Sequence, residues 1–205
     1  MTTVHTGDDV TRESRRGRHD AEERLIAAAA DLLGEIGPRA MSVRLIAERA
    51  GVNHGLVHHY FDGKEGLLRA AMSRLVDEHA RWVAERSAGD PIPTPFGLRE
   101  DQRYLRAVVR AMLDGETELA QMELTNNVSV PRRAMQHIAE TAGIAEPTVQ
   151  LKAAMAVTMA LEMGWAALEP FIFAVTDTTS NEVDDVRSEA RRIRRDMVLQ
   201  WLEKL

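Results

Sequence analysis

Ser42-Val-Arg-Leu-Ile-Ala-Glu-Arg-Ala-Gly51-Val-Asn-His-Gly-Leu-Val-His-His-Tyr-Phe61 is the stretch on which the reading of this chain turns. It reads as two short helices bent sharply around Gly51-Val52-Asn53. Ser42 caps the first, from Val43 to about Ala50, and Gly51 ends it with the positive φ that a tight turn requires. Asn53 caps the second, from His54 to about Phe61. Ile46, Ala47, Val52 and Val57 supply the apolar contacts between them, and Ala47 is small enough to let the helices come close. A pair of this size buries too little to stand alone, so a third helix must cover it.

The flanking sequence supplies that cover. Asp20 followed by Glu23 makes a capping box, and Leu25, Ile26, Ala29, Leu32, Leu33 and Ile36 recur at helical spacing until Gly37-Pro38 stops the helix. On the other side, Asp62-Gly63-Lys64-Glu65 opens a long fourth helix that runs to about Ser87. Residues 1–18 lack hydrophobic periodicity and close on Arg12, Arg15, Arg16 and Arg18. They are expected to form a disordered basic arm, either simply solvated or reaching DNA. Pro91, Pro93 and Pro95 mark a linker. Helical patterns resume over about 98–113, with shorter pieces near 116–124 and 132–142. Pro147 suits the first turn of the next helix, which carries an apolar run to about Phe173. Asn181, Glu182, Asp184 and Asp185 start a last helix that reaches the C-terminus. No segment alternates as a strand does, so the expected fold is all-α.

Composition agrees. The 205 residues are 44% hydrophobic and 4% aromatic, with no cysteine. Disulfides and thiolate chemistry are excluded, and with a polar, acidic N-terminus in place of a secretory signal the expected location is the cytoplasm. The apolar stretch from Ala153 to Val175 contains Glu162, Glu169 and Pro170, which argues for a core helix and against a membrane span. The net charge of −6 gives no bulk signature of nucleic-acid binding. Between Thr11 and Lys64, nine Lys and Arg stand against eight Asp and Glu, so any DNA-binding surface must be a local face.

A second helix of this size fits the major groove. Its outward positions are Asn53, His54, Gly55, His58 and His59. Lys64 can add a point charge to the backbone contacts, and Arg44 can reach a guanine edge or a phosphate. His54 and His58 are four apart with His59 adjacent, a spacing compatible with metal ligation. No third ligand completes a set, so neither metal nor cofactor is expected; idle surface histidines are the plain alternative. There is no glycine-rich phosphate loop, no cysteine nucleophile and no His-Glu-x-x-His run, so the chain is not expected to be an enzyme.

Gly37, Ser42-Val-Arg, Ile46-Ala, Ala50-Gly51-Val52, Tyr60-Phe61 and Lys64-Glu65-Gly66-Leu67-Leu68 together resemble the head of the TetR family of transcriptional regulators. The resemblance covers about residues 20–70; the remainder is similar in length and helical order alone. It implies a three-helix helix-turn-helix head, a long fourth helix joining it to a helical ligand-binding body, and a homodimer formed through the last two helices on operator DNA. By the same resemblance, such regulators most often repress. One departure stands out: His58 occupies the place where many relatives carry a tyrosine that contacts phosphate. The expected organisation is an arm over 1–18, a DNA-binding domain over 19–79 with its motif at 42–61, and an effector-binding and dimerisation domain over 80–205.

In the body, Met155, Met159, Glu162 and Met163 share a helix face suited to a pocket for a small, largely apolar effector. Ordinary core packing is the plain alternative. A buried Glu162 needs a partner, whether a cationic ligand, an internal arginine or water. Ala153, Ala156, Ala160, Gly164 and Ala167 form a small-residue stripe for close helix packing. The last helix carries Val183, Val186, Ala190, Ile193, Met197, Trp201 and Leu205 as a wide apolar stripe for a partner subunit. Opposite it, Arg187, Arg191, Arg194 and Arg195 read as a solvated face. The function expected is that of a repressor released from its operator by its effector. Two alternatives remain at this point: a helix-turn-helix protein whose body senses nothing, and a small helical enzyme or carrier using a pocket around Glu162.

Overall fold

The computed structural model describes residues 7–88 and 93–202, with side chains from Arg16 to Ala88 and from Pro93 to Trp201. Among them helices are the regular secondary structure present. In order these are α1 (Gly7–Glu35), α2 (Val43–Ala50), α3 (Gly55–Phe61) and α4 (Lys64–Arg86), then one 3-10 turn (Gly97–Glu100). They are followed by α5 (Gln102–Leu113), α6 (Thr117–Ala120), α7 (Met122–Thr125), α8 (Val130–Thr141), α9 (Val149–Val175) and α10 (Val183–Leu202).

The earliest difference from the sequence reading is at the start. The chain is helical from Gly7, where a disordered arm was expected up to residue 18; residues 1–6 lie outside the described residues. Once the buried face of α1 has paid for nucleation, each added residue costs little. Arg18 reinforces the exposed turn by an ion pair with Glu22 at 2.8 Å and by lying over the Tyr60 ring, 5.2 Å from its centroid. Leu205, expected in the last helix, lies outside the described residues.

Contacts divide the chain into two compact units, one reaching Leu75 and including Ala107–Met122, the other made of Val76–Arg106 and the chain from Glu123 onward. The division therefore falls inside α4 and inside α5, and not at the expected boundary after residue 79. The reason is local to the second half of α5. Ala107, Val108 and Ala111 are buried, and two polar groups fasten the segment to the α1–α2 turn. Arg110 Nε donates to the Gly34 carbonyl at 3.0 Å, and Asp114 accepts the Arg39 backbone N–H at 3.0 Å. Gly37 sits in that turn at φ +79°, where an added Cβ would lie 2.8 Å from the Asp114 carboxylate.

The core of the first unit is built from Leu25, Ala29, Leu32 and Leu33 of α1, Ile46 and Ala47 of α2, Val57 of α3, and Leu67, Ala71, Met72 and Leu75 of α4, all buried. In the second unit α9 is the spine, packed against the 3-10 turn, α8 and α10. Thr148 caps α9 by accepting the Leu151 N–H at 3.2 Å. By length and composition α9 could cross a membrane. Its two carboxylates are nevertheless engaged with arginines of α10, Glu169 with Arg187 at 2.7 Å and Glu162 with Arg194 at 3.6 Å.

Candidate nucleic-acid interface

The head presents α3 through a turn that leaves its backbone little freedom. Ser42, extended at φ −121° and ψ 154°, accepts the Leu45 N–H at 3.1 Å and starts α2. Gly51 ends α2 in the left-handed region at φ 65°, donating to the Glu48 carbonyl at 3.1 Å while Val52 donates to the Ala47 carbonyl at 3.0 Å. A residue with a Cβ pays for that conformation, so glycine here is a structural requirement. Asn53 then accepts the Gly55 N–H at 2.8 Å, satisfying a donor that the first turn of α3 leaves free. Asp62 does not open α4 as its spacing suggested. It takes the left-handed conformation (φ 56°) and closes α3, its N–H on the His58 carbonyl at 3.2 Å.

Three arginines brace this arrangement, and sequence reasoning assigned a role to none of them. Arg24 of α1 donates to the carbonyls of Ala50 and Gly51 at 3.3 and 3.4 Å, placing a cation at the C-terminal end of α2. Arg49 makes a bidentate pair with Glu35 at 3.0 and 2.8 Å, which holds the Glu35 carboxyl below its ordinary range. Arg74 of α4 reaches Glu23 of α1 at 2.9 Å. The near pairs Arg18–Glu22 and Arg24–Asp20 follow a visible four-residue spacing. The long-range partners leave no such mark.

Of the residues singled out in the sequence, Asn53, His54, Gly55, His58 and His59 are exposed on or just before α3, and Val57 between them is fully buried. Gly55, His58 and His59 share a face by their three- and four-residue spacing. Arg44 is exposed on α2, and it has no ion pair among the described residues. Its charge is therefore not spent inside the head, unlike those of Arg24 and Arg49. Lys64 differs from the others: half-buried, it donates to the Pro38 carbonyl at 2.8 Å. An ammonium has three donors, so this bond fixes its position and leaves two free.

Residues 25–71, which contain α2, α3 and the turn between them, match the profile of bacterial regulatory proteins of the tetR family. The head is that of the TetR family. Similarity extends past the head. The HTH-type transcriptional repressor Rv3405c of Mycobacterium tuberculosis is 29% identical over 191 residues, covering 91% of this chain and 93% of that one. The HTH-type transcriptional regulator BetI of Ectopseudomonas mendocina is 36% identical over 98 residues, 48% of this chain and 45% of that one. In fold, a transcriptional regulator from Rhodococcus sp. Rha1 superposes with a TM-score of 0.60 over 87% of this chain and 96% of that one, at 24% identity. With this head and relatives named as transcriptional regulators along nearly their whole length, the chain is a DNA-binding transcriptional regulator; regulators with such heads bind operator DNA and function as dimers.

The body of this regulator treats its sequence-predicted residues differently. Met155, Met159 and Met163 are half-buried on α9. Glu162 is committed to the chain itself: Oε2 accepts the Phe96 N–H at 2.7 Å and Oε1 accepts the Leu98 N–H at 2.9 Å. That pins the 3-10 turn to α9, with Phe96 in the left-handed region at φ 58°. The arginines of α10 are not one solvated face. Arg194 is buried, and Arg187 is half-buried in a bidentate pair with Glu169 at 3.0 and 2.7 Å. Their seven-residue separation points both at α9, whose carboxylates draw them inward; Ile193, read as seam, is exposed in the protomer at 57%.

A second polar chain in the body was not anticipated. His79 Nδ1 lies 2.9 Å from Asp101, and the His79 ring stacks on Tyr104 at 3.9 Å between centroids. Tyr104 donates to Glu123 at 2.8 Å, and Ser129 donates to the other oxygen of Glu123 at 3.0 Å. Burial and the Glu123 charge push the Tyr104 hydroxyl far above its usual pKa, so it acts here as a fixed donor. Glu123 and Ser129 also line an open polar groove of about 360 Å³ with Arg132, Arg133 and His137.

Proposed function

We propose that this regulator is a homodimeric repressor that holds a pseudopalindromic operator with two heads and releases it when a small, largely apolar ligand binds in the body. The observation that carries this reading is the α2–turn–α3 unit: a locked turn presenting Asn53, His54, Gly55, His58 and His59 together, beside an Arg44 whose charge has no partner among the described residues. Placed in a major groove, the polar side chains of α3 meet base edges while Arg44 and Lys64 meet phosphate or guanine. Two heads one helical turn apart read half-sites about 34–36 Å apart. Repression is supported by the mycobacterial relative, which is named a repressor over nearly its full length.

The dimer is assigned to α9 and α10. Val149, Val157, Leu161, Leu168, Phe171 and Val175 are exposed at 40–78%, and Ala153, Ala156, Ala160 and Ala167 lie exposed among them. Together they form an apolar seam along a helix about 40 Å long. A solvated seam of that extent is costly, and a second copy of the same seam covers it. Ile193 and Leu199 of α10 extend it. The effector site is assigned to the face of Met155, Met159 and Met163, with Glu162 organising its wall. Since α4 runs from Lys64 at the head to Arg86 in the body, a ligand that prefers one setting of α4 shifts the spacing of the two heads.

The deciding experiment is operator binding by the purified chain, with DNA from upstream of its own coding region as probe and unrelated DNA as competitor. Specific binding at least about a thousandfold tighter than non-specific is expected, together with lower expression of a reporter placed behind that DNA. Binding that competitor DNA abolishes at equal concentration defeats the reading of the head, and a reporter that rises defeats repression.

A further inference from the structure

One side chain of the body has more hydrogen-bond donors than its surroundings have acceptors. Arg194 is 9% exposed, and its Nε is buried without a partner. Its nearest carboxylate, Glu162, is 3.6 Å from Nη2, which is ion-pair distance but not a hydrogen bond. Glu162 is held at that distance, because each of its oxygens is anchored by a backbone N–H, from Phe96 and from Leu98, and moving toward Arg194 would stretch both bonds. The Phe96 ring under the guanidinium, 5.7 Å away, offers attraction but no lone pair in the plane of the donors. Burial accordingly pulls the Arg194 pKa down from its usual value. Seven residues earlier on the same helix, Arg187 shows what a satisfied guanidinium looks like here, with both oxygens of Glu169 on its edge.

The charges around it are also uneven. Arg99 is close enough to help depress Glu169, so three guanidinium groups (Arg99, Arg187 and Arg194) face two shielded carboxylates, Glu162 and Glu169. The other acids in reach, Glu100 and Asp184, are exposed, and Glu100 is shared with Arg86. A water molecule brings a lone pair without a charge, whereas a carboxylate brings both. The apolar surroundings have a distinct shape as well. In a chain only 4% aromatic, Phe96 stacks on Trp165 at 4.9 Å and Phe173 meets Trp165 edge-on at 5.9 Å.

We propose that Arg194 is the anion-recognising group of the effector site, and that the effector is a small carboxylate with an apolar body, its carboxylate lying along the Nε–Nη edge of Arg194 and its body against the Phe96–Trp165 wall and the methionine face of α9. This rests on the reading that the body senses a ligand. Of the three partners the sequence left open for Glu162, a cationic ligand, an internal arginine or water, an internal arginine is the one at ion-pair distance, and the donor left without a partner is on that arginine.

The test uses the full chain and three probes, benzoate, phenylacetate and decanoate, each beside its primary amide at matched pH and ionic strength. Thermal stability and operator release are both read. At least one carboxylate raises Tm and releases operator, and its amide does neither. Arg194→Met keeps the fold and the operator, since Glu162 retains both backbone donors, but its response to that carboxylate weakens at least about tenfold, the loss expected for a charge-assisted hydrogen bond. Arg194→Lys keeps a charge without the fork and responds in between; should the methionine variant misfold, an undiminished response in the lysine variant overturns the proposal and a weakened one supports it. Amides as effective as acids, no carboxylate that binds, or an unchanged response in Arg194→Met each overturn it and leave buried water as the acceptor. A carboxylate that raises Tm in a chain that binds no operator supports Arg194 while defeating the repressor reading, so the two failures are distinct.

Discussion

Replacing Glu162 with alanine tests how the turn of residues 96–100 is held to α9. The substitution removes the acceptor of two backbone N–H groups, at 2.7 and 2.9 Å, and the one carboxylate near a buried arginine. A hydrogen bond to a charged group contributes about 1.5–3 kcal/mol, so the two together set an upper range of about 3–6 kcal/mol. Water entering the space relieves part of this, and the expected loss is about 3–5 kcal/mol, the range found when one partner of a buried charged pair is removed. Glu162→Gln keeps one acceptor oxygen and turns an NH2 toward a backbone donor, so it should lose about 2 kcal/mol. The double variant Glu162→Ala/Arg194→Met should be less destabilised than Glu162→Ala, because the uncompensated cation leaves with its partner. The assay is urea denaturation followed by circular dichroism at one fixed protein concentration, since dimerisation makes stability depend on concentration. Fluorescence should report Trp165, whose ring stacks on Phe96. A loss below about 1 kcal/mol for Glu162→Ala, with an unchanged spectrum, would show that the turn is held by something else.

Four further outcomes are expected. Phe171→Glu and Ile193→Glu, at positions 65% and 57% exposed in the protomer, should give folded monomers by sedimentation; an intact dimer in both would remove α9 and α10 from the seam. Arg44→Ala should weaken operator binding at unchanged Tm, while Lys64→Ala should lower the salt slope by about 1 and also cost about 1 kcal/mol of stability through the lost bond to Pro38; unchanged affinity would take the residue off the DNA. His58→Ala, at an exposed position on the outward face of α3, should weaken operator binding at unchanged Tm through a lost hydrogen bond; unchanged affinity would take His58 off the DNA. Glu169 is held below its ordinary value of 4.5 chiefly by hydrogen bonds from Arg187. Its stabilisation is therefore present above that value and is lost as pH falls through the folded one, so parent and Glu169→Gln should converge in stability under acid; a constant difference between them down to about pH 2 would contradict the pairing.

Some of this molecule follows from neighbours in the chain. The limits of α2, its serine cap and the left-handed Gly51 are consequences of hydroxyl geometry and a missing Cβ, and both act within four residues. The burial of Val57 between exposed His54 and His58 follows from helical period alone. For the same reason the all-helical class and the exposed polar face of α3 were legible without a structure. The tertiary structure decided where long charged side chains went. Arg194 and Arg191 stand on one helix three residues apart, yet one is buried and the other half-exposed, because only one faces Glu162. The second half of α5 joins the head through Arg110 and Asp114, whose partners lie more than seventy residues back. Lys64 turns to Pro38, and Glu162 is occupied by a turn sixty-odd residues upstream. Periodicity and capping are encoded by residues a turn apart. The partner of a guanidinium or a carboxylate is set by which distant elements the packed core brings within about 3 Å, and a short window of sequence carries no record of that distance.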